Sequence, residues 1–251
     1  MPADQTWTQP PRDLTLERGQ VQVWLAQVRA EEHELDRSTE LLCLPETARA
    51  ARFHSPQHRD RYIFARAGLR RLLGGYLGCW PGAVKIEVAP SGKPFTEMRL
   101  NGLTLDFNIS HSEDTILYGF ALERALGIDL ERVRLMPEMH AIAASYFSPA
   151  ERAILGFASP EDALRLFYRF WTRKEAYLKA LGEGLSERLP QIDSSVLAQP
   201  AHAMTLFQPC GEQDTRRFFL QDLSPAPDFS AALVTESRPT EVHLFHATFG
   251  G

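Results

Sequence analysis

An α+β fold made of two similar halves is what this sequence predicts, on three observations. Strand-like and helix-like stretches alternate without the regular spacing of a doubly wound parallel sheet. The block "LPETARAARFHSPQHRDR" (residues 44–61) returns as "SPAERAILGFASPEDALR" (148–165) at an offset of 104, matching Pro45 with Pro149, Phe53 with Phe157, Ser55 with Ser159, Pro56 with Pro160 and Arg61 with Arg165. Both blocks run into helical stretches ending in Leu-Gly, "RAGLRRLLGG" and "RKEAYLKALGEG", where the best offset is 108, a slip of about one helical turn. The third observation is a shared strand–turn–strand layout in "LDFNISHSEDTILYGFALE" (105–123) and "FFLQDLSPAPDFSAALVTE" (218–236), at offset 113. The seam is expected near "LERALG" (122–127). The division is therefore a loosely ordered, Pro-rich segment 1–18, a first half 19–124 and a second half 125–251. Duplicated halves tend to pack about a pseudo-twofold axis, and ligands favour such interfaces. One active site at the seam is expected, with basic groups from the first half and acidic groups from the second.

Each element has its own signal. "VQVWLAQV" (21–28) alternates as a strand does. "PETARAARF" and "QHRDRYIFARAGLRRLLGGYLG" have helical character, the latter closed by glycine. "VKIEVAP" (84–90) reads as a strand and "SGKPF" as a turn. "LDFNIS" and "ILYGFAL" pair as strands about "HSED", and "GIDLERV" (127–133) is a further strand. In "SPAERAIL", Ser148 is a helix N-cap and Pro149 the first helical residue. "VHLFHATFG" near the end reads as an extra strand.

With 251 residues and 44% hydrophobic content, the chain supports a sizeable core. It has no apolar run of membrane-spanning length and no secretory pattern at its start. Cys43, Cys79 and Cys210 are odd in number and far apart, without metal-ligand spacing. A cytoplasmic protein with reduced thiols is expected. The net charge is −5, yet seven arginines (Arg49, Arg52, Arg59, Arg61, Arg66, Arg70, Arg71) crowd 49–71 against Asp60 alone. A solvated helix face is the plain reading of such a run. An anionic ligand is the functional one, and bulk nucleic-acid binding does not suit an acidic chain.

The acidic side of the argument lies in the second half. Asp129 and Glu131 are two apart on a strand, so they share one face. Paired carboxylates repel unless a cation lies between them, and magnesium commonly takes one or two carboxylates plus phosphate oxygens. An exposed strand edge explains the same pair without any function. In "FYRFWTRKEAYLKALGEG" (167–184), Phe167, Trp171, Leu178 and Leu181 share an apolar face. Glu175 stands at its edge, Lys179 one turn on, and Lys174 inside the arc. Three resolutions are open for Glu175: an i,i+4 pair with Lys179, a wet edge, or a cleft shared with Asp129 and Glu131. His111, between Ser110 and Ser112, suits a local hydrogen bond or a phosphate contact, and Lys93 lies in a glycine turn.

Together these stretches resemble the 4′-phosphopantetheinyl transferase superfamily, in its Sfp-like form of two halves in one monomer. "GIDLERV" followed by "FWTRKEAYLKALGEGL" is similar to that family's two-part motif. "GKPF", "FNISHS" and "RFHSPQHRDRYIFARAGLRR" follow the same pattern. Thr172 departs from it, standing where serine is commoner.

The resemblance implies transfer of phosphopantetheine from coenzyme A to a serine of an acyl or peptidyl carrier protein, releasing adenosine 3′,5′-bisphosphate. It implies Asp129, Glu131 and Glu175 as magnesium ligands, Glu175 also as the base, and Lys179 as a stabiliser of charge on phosphate oxygens. Lys93, Ser110 and His111 would contact phosphates and nucleotide, with Arg49, Arg52 and Arg61 at the 3′-phosphate and adenine end. Lys174 would either reach the nucleotide phosphates or pair structurally. Neither nucleic acid nor membrane is an expected partner. The rival readings are a coenzyme A- or carrier-binding module without catalysis, and another magnesium-dependent phosphotransferase or nuclease.

Overall fold

The computed structural model describes residues 5–28, 32–183, 189–195, 205–207 and 217–249. Cys210 and "GEGL" beyond Glu183 lie outside the described residues. Strand β1 (Gln20–Gln27) is followed by helices α1 (Glu32–Thr39), α2 (Leu44–Ala50) and α3 (Pro56–Leu77). Two-residue strands β2 (Glu87–Val88), β3 (Pro94–Phe95) and β4 (Arg99–Leu100) lead to the hairpin β5 (Leu103–Ser112) and β6 (Thr115–Leu122). The second half has β7 (Leu126–Arg132), α4 (Met139–Tyr146), α5 (Pro149–Phe157) and α6 (Pro160–Leu181). It closes with β8 (Thr205–Phe207), β9 (Phe218–Leu223), β10 (Phe229–Glu236) and β11 (Glu241–His246).

The strands form sheets of order β11-β1-β6-β5-β4 and β7-β10-β9-β8, with β2 and β3 paired apart. The expected strand over 84–90 pairs only at Glu87 and Val88, opposite Phe95 and Pro94. Proline lacks the donor a longer ladder needs, and Val84 is instead buried in the first core. Among the described residues no helix is long and apolar enough to cross a membrane.

The duplication is visible in the connectivity. β1, α3, β5 and β6 are matched in order by β7, α6, β9 and β10, with β6 antiparallel to both β1 and β5 as β10 is to both β7 and β9. Helices α3 and α6 are each 22 residues long. Each starts with proline after a serine N-cap, and each ends at a left-handed glycine, Gly78 (φ 63°) and Gly182 (φ 73°). The offset of 104 therefore holds through the whole helix, and the expected slip to 108 does not occur. Leu73-Gly74 imitates a helix end in the sequence but sits inside α3. A Cβ on Gly74 would come within 2.8 Å of the Cys79 carbonyl, and one on Gly75 within 2.6 Å of Leu14. Those glycines serve close packing rather than termination. Lys174 thus matches Arg70, Glu175 matches Arg71, and Lys179 matches Gly75.

The two sheets face each other through Val21, Val23, Leu25 and Leu117 on one side and Leu126, Ile128, Leu130 and Leu233 on the other. Helix α3 covers the far face of the first sheet through Leu69, Leu72, Leu73 and Tyr76. Helix α6 covers the second through Ala176, Tyr177, Leu178 and Ala180.

Two boundaries differ from expectation. β11 runs parallel to β1 in the first sheet, so the stretch 125–251 is not a self-contained half. The described part of the N-terminal segment is tied down. Thr8 bridges Phe245, the Gln5 amide bonds Asp222 O and Ser224 N at 2.8 Å each, and Leu16 is buried. Its apolar residues pack despite the polar, Pro-rich context.

Both halves carry the same buried clamp. The third helical residue of α2, Glu46, closes a capping box with Cys43 and accepts from Arg66 (2.6 Å) and Arg70 (2.7 Å) of α3. Glu151 closes the corresponding box with Ser148 in α5 and pairs with Lys174 of α6 at 2.9 Å. The paired cation then reaches the carbonyls after its long helix: Arg70 those of Pro81 and Val84, Lys174 those of Leu189 and Ile192. Lys174 is 1% exposed and Glu151 0%, so this lysine does not contact nucleotide phosphates. Its structural pairing explains an amine inside an apolar arc.

Removing one member of such a pair strands the other charge. Glu151→Ala is expected to destabilise the chain by about 3–5 kcal/mol. Denaturant unfolding checks this, with Glu151→Ala/Lys174→Met expected to recover much of the loss.

Candidate active site

At the seam, β5 of the first half lies beside β7 of the second, and side chains replace a backbone ladder. Asn108 Oδ1 accepts from Ile128 N–H (3.0 Å), Ser110 Oγ from Leu130 N–H (3.3 Å) and Ser112 Oγ from Arg132 N–H (3.0 Å). The serine hydroxyls also donate, Ser110 to Asp129 Oδ1 (2.9 Å) and Ser112 to Glu131 Oε2 (3.0 Å). The two strands are thereby joined and both carboxylates oriented by the same hydroxyls. The period of two that puts Asp129 and Glu131 on one face also puts Ser110 and Ser112 opposite them.

Helix α6 brings the remaining groups. A Cβ on Gly127 would lie 2.0 Å from Ala176 O and 2.4 Å from Ala180 N, so only glycine lets α6 settle onto β7. That contact sets Glu175 and Lys179 over Asp129. Lys179 Nζ donates to Asp129 Oδ1 (2.7 Å) and Ser110 Oγ (3.0 Å). The i,i+4 pairing of Glu175 with Lys179 does not form, because the amine is drawn to Asp129 instead. Asp129 Oδ2 and Glu175 Oε1 are buried without a hydrogen-bond partner among the described residues. Glu175 has its pKa raised to about 7, first by desolvation, then by Asp129, with a smaller push from Glu131. Glu131 is raised too, by desolvation and by Asp129.

Next to this cluster opens a cavity of about 360 Å³ whose wall includes Glu175 and Lys179 of α6, His111, Lys93, Arg49 of α2, and Tyr62 and Arg66 of α3. The Arg49 guanidinium lies 5.4 Å from the Tyr62 ring centroid. His111, at the exposed rim, has its pKa lowered by desolvation from the surrounding wall and by the charges of Lys179 and Arg61.

The structure thus gathers Asp129, Glu131, Glu175, Lys179, Ser110, His111, Lys93 and Arg49 around one cleft. Three residues expected at the nucleotide are not among those lining this cavity. Arg52 lines an adjoining cavity with Pro45, Ala48 and Phe53. Arg61 is held by Asp114 (2.7 Å) and Glu113 (3.2 Å) in the β5–β6 turn. Lys174 is the buried partner of Glu151. Lys93 borders the cavity, but its ammonium donates to Leu126 O (2.9 Å) and Lys179 O (2.7 Å), clipping β7 to the end of α6.

Sequence reasoning missed Arg66, Tyr62 and the ladder residue Asn108. Arg66 was visible only as one of seven arginines. The first-half positions matching Asp129 and Glu175 hold Trp24 and Arg71, so the duplication does not repeat the acidic cluster.

An acidic cluster on one half beside a cavity lined with arginine from the other has the charge pattern that a phosphate-bearing substrate with a divalent cation calls for. Residues 125–234 match the profile of the 4′-phosphopantetheinyl transferase superfamily. The chain is 36% identical over 241 residues to the 4′-phosphopantetheinyl transferase HetI of Nostoc sp., covering 96% of this chain and 98% of that one. A 4′-phosphopantetheinyl transferase of Bacillus subtilis is 28% identical over 153 residues, 61% of this chain and 66% of its own. A solved holo-(acyl-carrier-protein) synthase from Bacillus anthracis, in complex with CoA (3′,5′-ADP), aligns at 17% identity and TM-score 0.34 over 45% of this chain and 94% of its own. The chain belongs to the 4′-phosphopantetheinyl transferase superfamily.

The raised pKa of Glu175 has a sign for stability. Between about 4.5 and 7 the folded state holds a proton that the unfolded state has lost, so this group's ionisation weakens the fold as pH rises through that range. Glu175→Gln is therefore expected to melt a few degrees higher than the parent at pH 8 without divalent cation, at roughly 2–4 °C per kcal/mol. The gap is expected to close near pH 4.5 in a calorimetric scan.

Proposed function

We propose that this chain transfers the phosphopantetheine group of coenzyme A to a serine hydroxyl of an acyl or peptidyl carrier protein. The observation that carries the chemistry is the pair of buried, unpartnered carboxylate oxygens, Asp129 Oδ2 and Glu175 Oε1, beside a basic cavity.

The donor set fits a magnesium ion. Among the described residues no three His, Cys, Asp or Glu side chains already converge on one metal position. Magnesium does not require that, since it typically takes one or two carboxylates and completes its shell with water and phosphate. Asp129 and Glu175 would hold it, with Glu131 alongside. When bound, the ion supplies neutralisation of charge on the diphosphate.

The protein's own groups do the rest. Glu175, which lines the cavity beside Lys179, accepts the proton from the carrier serine. The serine oxygen forms a bond to the phosphorus bearing pantetheine. The bond from that phosphorus to the bridging oxygen breaks, and adenosine 3′,5′-bisphosphate leaves with the electron pair. Lys179, already fixed by Ser110 and Asp129, supplies a positive charge within reach of the phosphate oxygens. Because one chain supplies both sides of the seam, a monomer suffices.

Intact-mass spectrometry of an apo carrier protein with coenzyme A and magnesium tests the reading. A phosphopantetheine increment is expected, lost on chelation and slowed by about 10²–10⁴-fold in Glu175→Gln. No increment on several unrelated carriers would overturn it.

A further inference from the structure

We infer that the first half keeps a second ligand site, at the place matching the catalytic cleft, and that this site takes an amphipathic carboxylate with a flat apolar body. The duplication puts it there. β11 runs parallel beside β1, as β5 runs parallel beside β7 through the side-chain ladder. The catalytic cavity is lined by Asn108, Ile109 and His111 of β5 and by Glu175 and Lys179 of α6. In the first half a cavity of about 720 Å³ is lined by Ala247, Thr248 and Phe249, just past β11, and by Arg71 and Leu72 of α3. Trp24, the match of Asp129, and Arg71, the match of Glu175, are both in its wall. The two cavities share no lining residue.

The exchanged side chains decide what this second cavity binds. Tryptophan and arginine in place of two carboxylates remove the groups that suit a cation and leave a guanidinium beside an apolar floor. Trp24 is buried and its Nε1–H already donates to Tyr76 Oη at 2.8 Å, so the indole has no donor left to offer. The wall also carries the rings of Pro10, Pro11, Pro81, Trp80 and Phe249. Trp80 is 67% exposed, yet its indole is packed on Gly82, where a Cβ would come within 2.8 Å of Nε1. A large ring held open to water gains free energy when a flat apolar ligand covers it.

Arg71 sets the charge of the ligand. In the same arginine run, Arg61, Arg66 and Arg70 have carboxylate partners. Arg71 is half-buried, and among the described residues no carboxylate lies within 4.0 Å of it. Its contacts are weak ones, Ser38 Oγ at 3.4 Å and the Phe249 ring centroid at 5.8 Å. Burial pushes its pKa down, and Glu34 opposes that from beyond ion-pair distance. A desolvated guanidinium without a carboxylate is the group that a bound carboxylate satisfies. Arg37 and Glu40, also in the wall, are exposed and opposite in charge, so water screens them and they favour neither sign.

Titration of the full chain with 2-naphthoate, read by calorimetry and by ligand-observed NMR, tests the site. Saturable binding is expected with a Kd on the order of 10⁻⁴ M. Trp80→Ala alters an exposed side chain, so it is expected to fold, and to weaken binding about 10-fold. Arg71→Gln is expected to weaken it about 10-fold as well. The neutral 2-naphthylmethanol is expected to bind the parent more weakly and to lose nothing further in Arg71→Gln. Saturating coenzyme A is expected to leave the naphthoate affinity unchanged.

No saturable binding to the parent overturns the inference, as do equal affinities for the parent and both variants. Competition by coenzyme A assigns the naphthoate to the catalytic cavity and overturns the second site. Tighter binding of 2-naphthylmethylamine than of 2-naphthoate overturns the charge of the ligand, and tighter binding of decanoate overturns its flat body.

Discussion

Everything at the seam depends on three side chains standing in for a backbone ladder. Asn108, Ser110 and Ser112 accept the N–H groups of β7 that have no strand partner on that side. Unsatisfied donors there would cost free energy comparable to lost hydrogen bonds. Satisfying them with hydroxyls, rather than with a neighbouring strand, leaves each serine a proton to donate. Those protons go to Asp129 and Glu131. The joint between the halves and the alignment of the acidic cluster are therefore one interaction, and neither can loosen without the other.

The cluster is held at a cost to the fold. Glu175 is desolvated and faces two other carboxylates, which is why its pKa rises to about 7. The surroundings that bear this cost are rigid. Gly127 admits the helix backbone, Lys93 clips the end of α6 to β7, and the Glu151–Lys174 pair anchors the middle of α6. A helix so fixed can keep a carboxylate in a position that isolated burial would not favour.

Charge is used unevenly by the duplication. Both halves keep the capping-box carboxylate that binds a cation from the long helix. In the first half the carboxylate binds two arginines, and one of them borders the cavity. The positions matching Asp129 and Glu175 are Trp24 and Arg71. Arg71 lies 5.8 Å from the Phe249 ring centroid and packs against the C-terminal segment. The first half thus supplies arginines to the cavity and the second supplies the carboxylates together with Lys179, and the seam is where they meet.

Much of this was legible in the residues. Periodicity located the long helices and the central strands, the Ser148-Pro149 pair marked a helix start, and the period of two put Asp129 and Glu131 on one face. Those are local properties, set by strand and helix periods and by capping chemistry. The partners of each charge were not local. The arginine run looked nearly unopposed because Glu46, Glu113 and Asp114, which pair with Arg61, Arg66 and Arg70, come from other elements. Lys174 looked functional because Glu151 lies 23 residues away in sequence but 2.9 Å away in space. The return of β11 to β1 was equally hidden, since an alternating strand does not name its neighbour. The sequence by itself determined the two α+β units and the identity of the acidic groups. Only the tertiary structure decided which cations those groups meet, because a charge takes its partner from whatever the packed core brings within about 4 Å.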